Sequence, residues 1–119
     1  MPLQSFRDLR VWQQSIGLVR DIYIVSAKFP KDERFGLTAQ IRRAAVSVPS
    51  NIAEGYGRVS RGEYVNQLSV ATGSLCEVTT LLDVSEQLGF ASQEQLVHAR
   101  DCASKVGGML WRLMEKLRK

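Results

Sequence analysis

Residues that could crosslink the chain or interrupt a helix are few: two cysteines, three prolines and one histidine in 119 residues. That scarcity excludes a disulfide scaffold and a proline-rich fibre. Long apolar runs are missing too. Residues 65–76 carry no charge but are broken by Asn66, Gln67, Ser69, Thr72 and Ser74, so no membrane span is expected. The opening Met-Pro-Leu-Gln-Ser-Phe-Arg-Asp has neither the basic start nor the apolar stretch of a secretory signal. Alternation with period two is absent, so no strand is expected. What is present is the usual balance of a globular chain, 45% hydrophobic and 24% charged. The expectation is a single cytoplasmic domain over residues 1–119.

Charge is uneven along the chain. The total is +4, but residues 1–62 hold ten cations and five acids. Residues 63–97 hold five acids (Glu63, Glu77, Asp83, Glu86, Glu94) and no Lys or Arg, and residues 98–119 hold six cations against two acids. An acidic middle between basic flanks predicts opposite-sign contacts, within one chain or between copies. A polyanion patch is the other reading.

Four helices follow from apolar periodicity and punctuation. Ser5-Phe-Arg-Asp8 resembles a capping box, and Leu9, Trp12, Ile16, Val19 and Tyr23 then recur at spacings of three and four. Phe29-Pro30 ends that helix. Asp32 is the expected N-cap of the second, which carries Leu37, Ile41, Ala44 and Val48. Pro49 should kink it, at roughly 3 kcal/mol in an isolated helix. Rhythm resumes at Ile52, Ala53 and Tyr56, so one kinked helix is expected, with two separate helices as the alternative. Ser60-Arg-Gly-Glu63 caps the third, whose stripe is Tyr64, Leu68, Ala71, Leu75, Val78 and Leu82. Gly89 and Phe90 form its stop. Ser92-Gln-Glu-Gln95 opens the fourth, carrying Leu96, Ala99, Ala103, Val106, Leu110, Leu113 and Leu117. Helices of about 35–40 Å joined by short connections predict an all-α, antiparallel up-down-up-down four-helix bundle.

Reaction chemistry finds little to work with. His98 lies off the apolar stripe, and a bundle metal site would need paired Glu-x-x-His motifs. Cys76 and Cys102 have no C-x-x-C context and read as small buried thiols. Gly55-Tyr-Gly-Arg-Val-Ser-Arg-Gly62 follows a helix, lacks the glycine and lysine pattern of phosphate loops, and reads as a helix-to-helix turn. No catalytic group, metal, cofactor or small-molecule substrate is expected.

Two features conflict with simple helix building. Residues 40–58 contain Pro49, Gly55 and Gly57, and place Asn51 where the stripe calls for an apolar side chain. Ser47 and Asn51 either satisfy backbone groups freed at Pro49 or belong to a recognition surface. Helical glycines (Gly17, Gly73, Gly107, Gly108) each cost about 0.8–1 kcal/mol against alanine. Close approach of another backbone, inside the protomer or across a subunit boundary, would offset it.

Phe6-Arg-Asp-Leu-x-Val-Trp12, Phe29-Pro30, Gly36-Leu37, the run Gln40-Ile-Arg-Arg-Ala-Ala-Val-Ser-Val-Pro-Ser-Asn-Ile-Ala-Glu-Gly-Tyr-Gly-Arg58 and Ala71-x-Gly-Ser-Leu-x-Glu77 are carried in order. In these the sequence resembles the bacterial four-helix proteins encoded in intervening sequences of large-subunit ribosomal RNA genes, also labelled S23-type ribosomal proteins. The motif positions are Ser47, Pro49, Asn51, Glu54, Gly55, Gly57, Gly73 and Glu77. The resemblance implies an antiparallel protomer assembled as a ring-like homopentamer. The accessory variability protein of diversity-generating retroelements is similar in fold, and there binding to nucleic acid and reverse transcriptase is implied. The ribosomal label describes where the genes lie.

Two functions follow. A homo-oligomer could bind RNA or DNA through Arg42, Arg43, Arg58 and Arg61, with Lys105, Arg112 and Lys116 sharing a helix face through spacings of seven and four. Alternatively the oligomer is a scaffold for a protein partner. Arg42, Arg43, Glu54 and Arg58 then serve in ion pairs within or between subunits, with Glu63 or Glu77 as mates.

Overall fold

A computed structural model describes residues 5–119, and all structural statements concern these. The first four residues read for a secretory signal lie outside them. Helices α1 (Arg10–Ser26), α2 (Leu37–Tyr56), α3 (Arg61–Gln87) and α4 (Gln93–Arg118) make up the body, with 3-10 turns at Phe6–Asp8 and Lys31–Glu33. No strand occurs among the described residues, and the fold is all-α. The body measures 44 × 24 × 21 Å.

α1 packs on α2 and α4, and α3 packs on α2 and α4. No α1–α3 or α2–α4 pair of α-carbons comes within 8 Å, so these helices stand at diagonal corners and meet only through side chains in the core. Contacts run in opposite order along neighbouring helices. Ser47 meets Ser74 while Asn51 meets Gln67 on α2 and α3, and Gln14 meets Cys102 while Phe29 meets Phe90 on the α1–α4 side.

The core is aliphatic. Leu18, Ile22, Ile41, Val48, Ile52, Leu68, Val78, Leu82, Leu96, Val106 and Leu110 are fully buried, each contributing about 1.5–3 kcal/mol relative to exposure. The expected stripes of α2, α3 and α4 face it, with Tyr64, Leu113 and Leu117 partly buried. In α1 the expected stripe is displaced. The core side is Val11, Ser15, Leu18, Ile22 and Val25, whereas Ile16 and Tyr23 are each 43% exposed. Both sets recur at three and four residues, and Ser15 disguises the inner one. Its hydroxyl satisfies itself on the Trp12 carbonyl at 2.7 Å, so burial leaves nothing unpaired.

The helix ends differ in how legible they were. Ser5 caps the turn Phe6–Asp8, and α1 starts later, at Arg10. Asp32 does not cap α2. The Glu33 carboxylate reaches past Gly36 and accepts from the Leu37 N–H at 3.0 Å. α1 and α2 are consequently shorter than expected, 17 and 20 residues or roughly 25–30 Å. Ser60 caps α3 through the Glu63 N–H, and Ser92 and Gln95 form a reciprocal capping box on α4. After α3, Gly89 takes φ +76°. The Phe90 N–H bonds the Ser85 carbonyl and the Gly89 N–H bonds that of Glu86, the two bonds of a Schellman stop.

α2 continues as one helix through the buried Pro49. Gly55 explains its own presence: an added Cβ would lie 2.8 Å from Gln67 Cβ and 3.3 Å from the Tyr64 carbonyl oxygen. α2 and α3 touch there almost backbone to backbone. Gly73 corrects the expectation of close approach inside the protomer, because nothing lies within 4 Å of a Cβ built there.

Candidate nucleic-acid interface

The seven basic residues singled out by sequence do not share one surface. Arg42 is turned inward along α1: its Nε–H donates to Ser26 Oγ at 2.8 Å, and its guanidinium carbon lies 4.4 Å from the Tyr23 ring centroid. Arg43, one residue on, is exposed and makes no ion pair. Both line a groove of about 630 Å³ with Tyr23, Arg34 and Val46, a groove whose lining includes no carboxylate. Arg34 was not among the basic residues expected from the sequence, and only the packing of the 3-10 turn against α2 brings it to this groove.

Arg58 pairs with Glu54 one turn back at 2.7 Å, both side chains about half exposed, a contact typically worth a few tenths of a kcal/mol. Arg61 donates to the Lys119 carbonyl at 2.9 Å, so the start of α3 meets the end of α4. Lys105 is held by Asp101 at 3.2 Å. Arg112 and Lys116 converge with Arg10 on a groove of about 510 Å³ between α1 and α4, which Lys105 does not line. Asp8 is the one acid lining it, and Leu9, Val11, Met109 and Leu113 make an apolar floor. The Arg112 guanidinium lies over Gly108, where a Cβ would approach Nη1 to 3.4 Å. Gly108 thereby allows that side chain to lie flat on its own helix. Arg10 escaped notice because the displaced α1 stripe hid which side of that helix turns toward α4.

The motif positions of α2 and α3 form a polar ladder. Gln67 Nε2 donates to Asn51 Oδ1 at 2.8 Å, and Asn51 Nδ2 donates to Ser47 Oγ at 2.9 Å and to the Ser47 carbonyl at 2.8 Å. Ser47 Oγ and Ser74 Oγ are hydrogen-bonded at 2.7 Å, either hydroxyl able to donate. The carbonyl that Pro49 deprives of its helical donor is that of Ala45. Asn51 therefore does not repair that loss and links α2 to α3 instead. Further along, Gln40 Nε2 reaches Glu77 Oε2 at 3.4 Å. Gly57 is the C-cap of α2, in right-handed geometry that does not itself require glycine.

The opposite-sign contact expected within the chain is made by Arg100, which bonds Glu86 at 2.6 Å and Asp83 at 2.9 Å. Those two hydrogen bonds hold its protonated form more firmly than usual. His98 is exposed, and among the described residues no three His, Cys, Asp or Glu side chains gather where a metal could be held. Cys102 is buried, which raises its thiol pKa, while Cys76 is exposed, contrary to the expectation of two buried thiols. Burial, with Tyr56 nearby, also raises the phenol pKa of Tyr64. No helix is long and apolar enough to cross a membrane.

With this geometry in hand, three comparisons bear on identity. A crystal structure of a protein of unknown function from the S23 ribosomal protein family of Bacteroides thetaiotaomicron VPI-5482 superposes with a TM-score of 0.81. The match is 20% identical and covers 88% of this chain and 95% of the other, so it speaks for the fold. No curated protein matches. The family model for 23S rRNA-intervening sequence proteins matches residues 7–112, and the chain belongs to that family.

Proposed function

We propose that this chain is a non-enzymatic, self-associating, cytoplasmic protein that binds RNA through phosphate contacts, with five copies in the assembly. The observation that carries the RNA reading is the groove where Arg10, Arg112 and Lys116 face a single acid. Such a groove holds an uncompensated positive field over an apolar floor, which suits a phosphodiester backbone laid across it. Arg61, bonded to the Lys119 carbonyl, belongs to the same end of the bundle and extends that field. DNA, with the same backbone charge, is the comparison ligand. The solitary exposed His98 supports the non-enzymatic reading.

A second reading, a scaffold for a protein partner, is favoured by the residues already engaged. Arg42, Arg58 and Lys105 are held by Ser26, Glu54 and Asp101 and are less available to phosphates.

Fluorescence anisotropy with a labelled 23S rRNA hairpin separates the two. If three phosphates are neutralised, raising salt from 50 to 200 mM weakens binding roughly 20- to 40-fold, and Arg112→Gln with Lys116→Gln flattens that dependence. Salt-insensitive binding, or no binding at low salt, overturns the RNA reading.

A further inference from the structure

The groove where Arg10, Arg112 and Lys116 meet does not end at the first turn of α1. A second groove of about 500 Å³ continues it along the α1–α4 seam, and the two share Arg10 and Met109. Arg20 lines this second groove with Gln13, Gln14 and Gly17. With Arg10 beside Met109, the stretch from Lys116 back to Met109 on α4 and from Arg10 on to Arg20 on α1 spans roughly 25 Å. Its four cations are all exposed, and among the described residues none of them makes an ion pair. Asp8 is the one carboxylate lining either groove.

Between those cations the seam is more than a shelf for phosphates. Leu9, Met109 and Leu113 are only partly buried and leave apolar surface at the floor. Further along, two amides are held in a fixed sense. Gln13 Nε2 donates to the Arg7 carbonyl at 2.8 Å, and Gln14 Nε2 donates to Cys102 Sγ at 3.2 Å. The Oε1 of each side chain is left as an acceptor at the groove. Gly17 keeps the space between them clear: a Cβ built there would touch only Cys102 Sγ, at 4.0 Å.

A floor and acceptors of this kind distinguish the forms of RNA. A duplex brings phosphates and sugar rims to such a seam, because its base edges are paired and its deep major groove admits no side chain. The apolar floor and both amides would then go unused. An unpaired strand can lay its phosphates on the cations and turn its bases down. Base faces then rest on Met109 and the leucines, and base N–H groups reach the glutamine oxygens.

We propose that the α1–α4 seam from Lys116 to Arg20 holds an unpaired stretch of RNA, on the order of four nucleotides long. This rests on the RNA reading above and names the form of the ligand.

Fluorescence anisotropy at 50 mM salt tests it on the full chain, comparing a labelled unpaired RNA of about twelve nucleotides with a blunt duplex of the same sequence. The unpaired RNA should bind at least roughly tenfold tighter. Two variants, each checked for unchanged helicity by circular dichroism, probe the second groove. Gly17→Leu fills it without changing charge, and Arg20→Gln removes its cation. Each should weaken binding of the unpaired RNA roughly 5- to 10-fold and shift that of the duplex by less than about twofold. Equal or tighter binding of the duplex overturns the single-strand assignment and leaves RNA binding standing. Failure of both probes to bind overturns the RNA reading itself. Unpaired RNA that both folded variants hold as tightly as the wild type overturns the extension of the site to Arg20.

Discussion

Arg42 of α2 donates its Nε–H to the Ser26 hydroxyl at the last turn of α1, 2.8 Å away, with Tyr23 beneath its guanidinium. One side chain thus clasps two helices and shields a buried hydroxyl. Arg43, its exposed neighbour, does neither. Arg42→Ala should cost about 1–3 kcal/mol in urea unfolding, and Arg43→Ala should stay within about 0.5 kcal/mol. Arg42→Lys, which keeps the charge but loses the planar fork, should recover only part of the loss.

Gly55 and Gly73 should respond to alanine in opposite directions. At Gly55 the new methyl would collide with Gln67 Cβ and the Tyr64 carbonyl, so destabilisation of about 1–3 kcal/mol is expected. At Gly73 the site is open and the protomer should gain up to about 1 kcal/mol from helix propensity. Thermal unfolding of the two variants measures the contrast.

The ladder from Gln67 to Ser74 should behave as a unit. Asn51→Ala leaves Gln67 and Ser47 short of partners and should cost about 1–3 kcal/mol. Adding Gln67→Ala should cost less than its separate effect, a coupling that a double-mutant cycle reads directly.

The two thiols should label at different rates. Cys76 is exposed, and Cys102 is buried with a raised pKa and contacts to Gln14. Iodoacetamide should modify about one thiol per native chain near pH 8 and both after denaturation. Burial raises the folded pKa of both Cys102 and Tyr64 above their unfolded values. The folded state therefore holds these protons more tightly. That contribution is complete below the unfolded pKa values and fades as pH rises past the ordinary thiol and then phenol ranges toward the folded ones. Urea midpoints should drop across that alkaline interval.

Much of this architecture can be read from residue order because three of the helices carry one apolar stripe each. α1 carries two, and Ser15 in the inner one made the outer one look better. Only the neighbours decide between them, and a serine that bonds its own helix costs the core little. The cap of α2 was similarly obscured: Glu33 acts from outside the usual N-cap position, a reach that depends on the turn before Gly36. Of the candidate site, Arg112 and Lys116 were visible as a pair, but Arg10 joins them only once two distant segments are brought together. Asn51 was legible as an oddity, and its role required knowing what stood opposite on α3.

The ladder between α2 and α3 also limits how this molecule can move. Sliding one helix past the other by a turn would carry Gln67 and Ser74 about 5.4 Å from Asn51 and Ser47 and strand all four. α2 and α3 are therefore a stiff strut. Across from it, the α1–α4 seam is joined near its middle by Gln14 and a thiol, with the donor 3.2 Å from the sulfur. Sulfur is a forgiving partner, so this polar link tolerates small shifts that the ladder would not.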